Sequence, residues 1–103
     1  MVDKVSFHGT NIYHLVRESD RSGYKGPIIE AVERLCGDSH PNLIQVGMMV
    51  RVGSYKNELS PWDYWQSTPI LSIDTPTENE EGDLVVRFTT RNSVYHLKVV
   101  NIV

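Results

Sequence analysis

From Leu84 to Val99 the apolar side chains fall on every second residue: Leu84, Val86 and Phe88, then Tyr95, Leu97 and Val99. A period of two sends successive side chains to opposite faces, so each run reads as a strand with one face to bury. Arg91-Asn92-Ser93 interrupts the two runs. Asn accepts the left-handed conformation and both Asn and Ser bond nearby backbone, so the chain turns there as a hairpin. Two further segments share the period. Met48, Val50 and Val52 alternate with Met49 and Arg51, and Ile70 to Ile73 makes a short strand beyond a long loop. The spacing predicts strands over 46–52, 69–74, 84–90 and 94–100, joined as one antiparallel meander. Its inner face would carry Leu71, Ile73, Leu84, Val86, Phe88, Tyr95, Leu97 and Val99. Large apolar side chains contribute about 1.5–3 kcal/mol each when fully buried, which makes that face a core.

The first 45 residues follow other rules. Val5 and Phe7 alternate, and Asn11 to Val16 fits a strand as easily as a short helix. Arg17 to Lys25 is polar, contains Ser22-Gly23 and reads as a loop. Residues 27–36 predict a helix. Pro27 suits a first helical position, and Ile28, Val32 and Leu35 fall at i, i+4 and i+7, with Ile29 and Cys36 beside them. Gly37 stands where a helix commonly ends. On this reading Cys36 lies on the apolar stripe and is buried and chemically quiet. The expected fold is therefore α+β, mainly β: a small antiparallel meander or SH3-like partly open barrel with the 27–36 helix packed on it. The expected organisation is a single domain, 1–103, with an N-terminal strand, loop and helix segment in 1–45 and the meander in 46–103.

Charge and cysteine content narrow the function classes. Ten Lys and Arg against 13 Asp and Glu give a net charge of −3, too small to mark a bulk nucleic-acid binder or an acidic nucleic-acid mimic. One cysteine excludes an internal disulfide, and no basic segment precedes an apolar run. A cytoplasmic protein with no membrane association is the expectation. A short chain with a modest core favours a binding module over a deep-pocket enzyme. No metal site is expected, because Cys36-x-x-x-His40 lacks a second ligand pair, and no cofactor is expected.

Two surfaces are candidates for partner binding. The loop from Tyr55 to Trp65 holds Tyr55 and, after Pro61, Trp62, Tyr64 and Trp65. Aromatic side chains offer large, rigid contact area, so Tyr55, Trp62 and Tyr64 are assigned to the partner and Trp65, nearer the next strand, to support of the fold. The alternative is the outer sheet face, where alternation places Arg51, Arg87, His96 and Lys98. Between Leu84 and Val103 there are three basic residues and no acidic ones, so a local positive face could hold the phosphate of a nucleotide or nucleic acid. An exposed edge strand leaves a monomer or a homodimer open.

Two resemblances add to this. Ser67-Thr68-Pro69-Ile70 followed by Phe88-Thr89-Thr90-Arg91-Asn92-Ser93-Val94-Tyr95 resembles a pattern in small proteins of bacteriophages and mobile elements, in which a T/S-P-I strand precedes F-x-T-x-N-S-x-Y. The likeness covers the C-terminal part only. It implies a small non-enzymatic accessory protein directed at a host protein. Phe7-His8-Gly9-Thr10 resembles the first NAD-binding motif of ADP-ribosyltransferases, which implies that His8 contacts a cofactor ribose. A second strand-plus-Tyr element and a strand-borne catalytic Glu have no counterpart, so that enzyme reading stands third. The order of expectation is a protein-binding module, then a phosphate binder, then an ADP-ribosyltransferase-like enzyme.

Overall fold

The computed structural model describes residues 1–54 and 63–102, and in these the chain is all-β with no helix. The strands are β1 (Lys4–Ser6), β2 (Asn11–Arg17), β3 (Gly23–Gly26), β4 (Ile28–Val32), β5 (Ser39–Pro41), β6 (Leu43–Gln45), β7 (Met49–Ser54), β8 (Asp63–Gln66), β9 (Ile70–Ile73), β10 (Thr77–Glu78), β11 (Leu84–Thr90) and β12 (Val94–Asn101). Period-two patterning does what it should in the longest of them. Tyr13 and Leu15 of β2, Val86 and Phe88 of β11, and Tyr95, Leu97 and Val99 of β12 are buried, while His14, Arg87, His96 and Lys98 face outward.

These strands form a large sheet in the order β10-β11-β12-β2-β3, with β9 also paired to β11. A smaller sheet runs β5-β4-β7-β8, and β1 pairs with β6 as a separate ribbon. All described pairings are antiparallel. Phe7, Leu15, Ile29, Ile44, Val52, Ile73, Phe88 and Leu97 belong to one core cluster, so the two sheets and the ribbon bury their apolar faces together. The radius of gyration, 13.0 Å, is that of a compact folded chain of this length.

The sheets meet at a bend in the chain. β3 lies against β2, with Gly26 opposite Tyr13, and two residues later Ile28 of β4 lies opposite Gly53 of β7. Pro27 occupies the corner, where no backbone N–H is needed for either ladder. Gly26 is buried against the Gly53 carbonyl, and a Cβ at Gly26 would stand 2.3 Å from that oxygen. The corner closes because no side chain separates the two backbones.

Four sequence expectations are corrected here. The 27–36 helix is absent: β4 occupies its first half, and a turn at 34–36 leads into β5. The physical reason is burial on both faces. β4 is central in its sheet, between β5 and β7, and Ile29 and Ala31 on one face are buried together with Glu30 and Val32 on the other. A short apolar run buried on both sides gives no period to distinguish strand from helix. β-branched Ile28, Ile29 and Val32 then favour the strand. Gly37, with φ of 76°, serves the β4–β5 turn and donates its N–H to the Glu33 carbonyl at 3.0 Å.

The single meander is also corrected, since β7 belongs to the smaller sheet and pairs with β4 and β8, away from β9, β11 and β12. Nor does an SH3-like barrel form: among the described residues no sheet closes on itself, the large one ending at β3 and at β9 and β10, the smaller one at β5 and β8. Leu71 is not in the core and is 61% exposed. The register on β11 slips between Thr89 and Thr90, so that Ser72 faces Thr89, Ile70 faces Thr90 and Leu71 is the extra residue of a bulge. The bulge lets Ile70 and Ile73, three residues apart, both point inward.

Candidate partner-binding surface

β7 and β8 pair with Arg51 opposite Gln66, Val52 opposite Trp65, and Gly53 opposite Tyr64. Val52 is fully buried, so Trp65 beside it turns inward and Tyr64 and Gln66 turn outward with Arg51. Trp65 packs edge-on against Tyr95, with ring centroids 5.1 Å apart, and Tyr95 stacks on Phe88 at 5.3 Å. Trp65 thus joins the end of β8 to the core of the large sheet.

On the outer face the three polar side chains hold one another. The Arg51 guanidinium donates to Gln66 Oε1 from Nε at 3.2 Å and from Nη2 at 3.0 Å. Its carbon lies 4.7 Å over the centre of the Tyr64 ring. The Gln66 amide reaches Met49 Sδ at 3.3 Å. Tyr64 remains 48% exposed, a fixed aromatic surface backed by a cation. Tyr55 and Trp62, the other residues assigned to partner binding, lie outside the described residues.

The four residues proposed for phosphate do not form one patch. Arg51 is on the smaller sheet with Gln66 and Tyr64, while Arg87, His96 and Lys98 are on the outer face of the large one. Two of those three already face carboxylates. Arg87 Nη1 is 2.9 Å from Asp74 Oδ2 and its Nε 3.9 Å from Glu18 Oε1, and His96 Nε2 is 3.1 Å from the same Glu18 oxygen. Lys98 stands apart from them. It lies opposite His14 of β2, and His14 lies opposite Lys25 of β3. Sequence reasoning passed over His14 and Lys25. The alternation of Tyr13 and Leu15 was the signal for His14, while Lys25 sat in a segment read as loop.

The remaining candidates are accounted for locally. His8 is exposed in the turn between β1 and β2, where its carbonyl accepts the Asn11 side-chain amide at 3.0 Å. Phe7 beside it is buried, edge-on to Tyr13 with centroids 5.4 Å apart. Cys36 is exposed, contrary to the buried thiol expected, because the stripe that would have buried it belongs to a helix that does not form. It sits in the β4–β5 turn beside Leu35, which is 97% exposed. Donor atoms of Glu33, Cys36 and Asp38 lie within 4.8 Å of one another, and His40 Nε2 is 2.9 Å from Glu33 Oε2. Asp38's backbone amide lowers the thiol pKa. Shielding from water and the carboxylates of Asp38 and Glu33 outweigh it, so the thiol is raised overall and disfavoured as a thiolate.

Among the described residues no helix is long and apolar enough to cross a membrane. No family model, no curated protein and no solved structure matches this chain.

Proposed function

We propose that this chain is a binding protein that acts by occupying a partner protein, with Tyr64 and Arg51 at the centre of its working surface. One observation carries this reading: Tyr64 is held outward and half-exposed under a guanidinium that two hydrogen bonds to Gln66 fix in place. Tyr and Arg are among the residues that dominate interface energies. Groups already immobilised lose little conformational entropy on contact. The segment that precedes Tyr64 carries Tyr55 and Trp62, and Pro61 restricts the chain just before Trp62. The likeness of the C-terminal hairpin to small phage proteins supports a host protein as the partner, in the cytoplasm.

The test is affinity capture from host lysate with the parent, Tyr64→Ala, Arg51→Ala, Trp62→Ala and Lys98→Gln, the captured species being identified by mass spectrometry. The expected outcome is one protein retained by the parent and by Lys98→Gln and lost with the other three. Retention by the parent and all four variants contradicts the assignment. So does capture that fails with Lys98→Gln alone, which favours the phosphate reading.

A further inference from the structure

The outer face of the large sheet holds a positive patch that no carboxylate among the described residues answers. Lys25, His14 and Lys98 stand side by side across β3, β2 and β12. Directly opposed residues on one face have Cβ atoms about 4.5–5.5 Å apart, so the two ammonium groups flank the imidazole within reach of one small anion. Among the described residues none of the three forms an ion pair, whereas His96, two residues from Lys98 on β12, and Arg87 opposite it are met by Glu18 and Asp74. Basic side chains opposed without an acid are a cost in a sheet, and an anion removes it.

The same residues line a depression of about 150 Å³ whose other wall is aliphatic, made by Ile12 of β2 and Val100 of β12. Ile12 and Val100 are themselves opposite each other, two residues further along the two strands than His14 and Lys98 and so on the same face. A cationic end thus adjoins an apolar end, which suits a ligand with a phosphate beside a flat ring. The patch is also bounded. Two residues along β12 from Lys98, His96 and the Arg87 opposite it are flanked by Glu18 and Asp74. A long polyanion would run into those carboxylates, and a single phosphate would not.

We propose that this face binds a nucleoside monophosphate, with the phosphate held by Lys25, His14 and Lys98 and the base lying on Ile12 and Val100. The site is on the other sheet from Tyr64 and does not depend on the partner-binding reading. It departs from the residue set read from sequence: Arg51, Arg87 and His96 drop out, and His14 and Lys25 enter.

Calorimetric titration with AMP, adenosine, inorganic phosphate and a short single-stranded oligonucleotide tests it, each variant's fold being checked by its thermal melt. The parent should bind AMP saturably and more tightly than adenosine or phosphate. Lys25→Gln and Lys98→Gln should each weaken AMP by about tenfold or more, as loss of one charged hydrogen bond does. Val100→Thr should weaken AMP and leave phosphate unchanged. Added salt should weaken AMP and spare adenosine. The proposal is overturned if AMP does not saturate in the millimolar range, or if Lys25→Gln and Lys98→Gln bind it like the parent. It is equally overturned if the oligonucleotide binds more tightly than AMP, which would make the site a nucleic-acid surface.

Discussion

Replacing Gly26 by Ala tests the corner that joins the two sheets. The added methyl would sit 2.3 Å from the Gly53 carbonyl oxygen and 2.8 Å from its carbon, inside the 3.0 Å limit that Cβ contacts essentially never breach. The oxygen cannot retreat as a flexible side chain would. Gly53 is backbone, pinned between Ile28 of β4 and Tyr64 of β8. Overpacking of this kind costs about 1–3 kcal/mol. Against it, Ala narrows the unfolded ensemble and returns about 0.4–1 kcal/mol. The clash wins, and Gly26→Ala should lose about 1–2 kcal/mol. For a domain near this size that lowers the melting temperature by roughly 5–15 °C. Gly37→Ala is the control. Its Cβ would meet nothing within 4 Å, but φ is 76°, so only backbone strain operates and the loss should stay near 1 kcal/mol. Urea and thermal melts of the parent and both variants give the comparison. A Gly26→Ala protein as stable as the parent would refute the close approach of β3 to β7.

Phe88→Ala and Leu97→Ala, both from fully buried positions, should each cost about 2–5 kcal/mol in a urea melt, while Leu71→Ala at the exposed bulge should stay within about 0.5 kcal/mol. Trp65→Ala should lower stability by about 2 kcal/mol through loss of its contact with Tyr95, and Tyr64→Ala should leave the melting temperature nearly unchanged. Cys36 is exposed with a raised pKa, so a thiol reagent should modify it completely in the native protein, slowly near neutral pH and faster as pH rises; Asp38→Asn should speed the neutral-pH reaction. Protection of Cys36 until the protein unfolds would contradict the exposed turn.

The sequence was most legible where one sheet face is buried and the other is wet. That condition holds for β11 and β12, whose alternating side chains marked both the strands and the turn between them. It fails for β4, where Glu30 and Val32 are buried along with Ile29 and Ala31 on the face opposite and no alternation is left to read. β7 begins at Met49 and not at residue 46, because Val46 and Gly47 form a turn that donates N–H groups to the Asp3 and Ile70 carbonyls. Those partners are distant in sequence and leave no local signal. Leu71 misled because alternation cannot announce a bulge. At the candidate surface, residue type and position suggested Tyr64, but the guanidinium over its ring depends on the pairing of β7 with β8. Lys25 and His14 became neighbours of Lys98 only once β2 was seen to lie between β3 and β12.

The most direct test of the working surface is the Kd of the captured partner for the parent and for Tyr64→Ala, measured by calorimetry at two salt concentrations. Truncating a central aromatic at an interface costs about 2 kcal/mol or more, a loss of roughly 30-fold in affinity. The expected result is that loss at both salt concentrations, with an unchanged melting temperature. A Tyr64→Ala protein that binds within about threefold of the parent, or a parent affinity that collapses with salt as phosphate contacts do, would contradict the assignment.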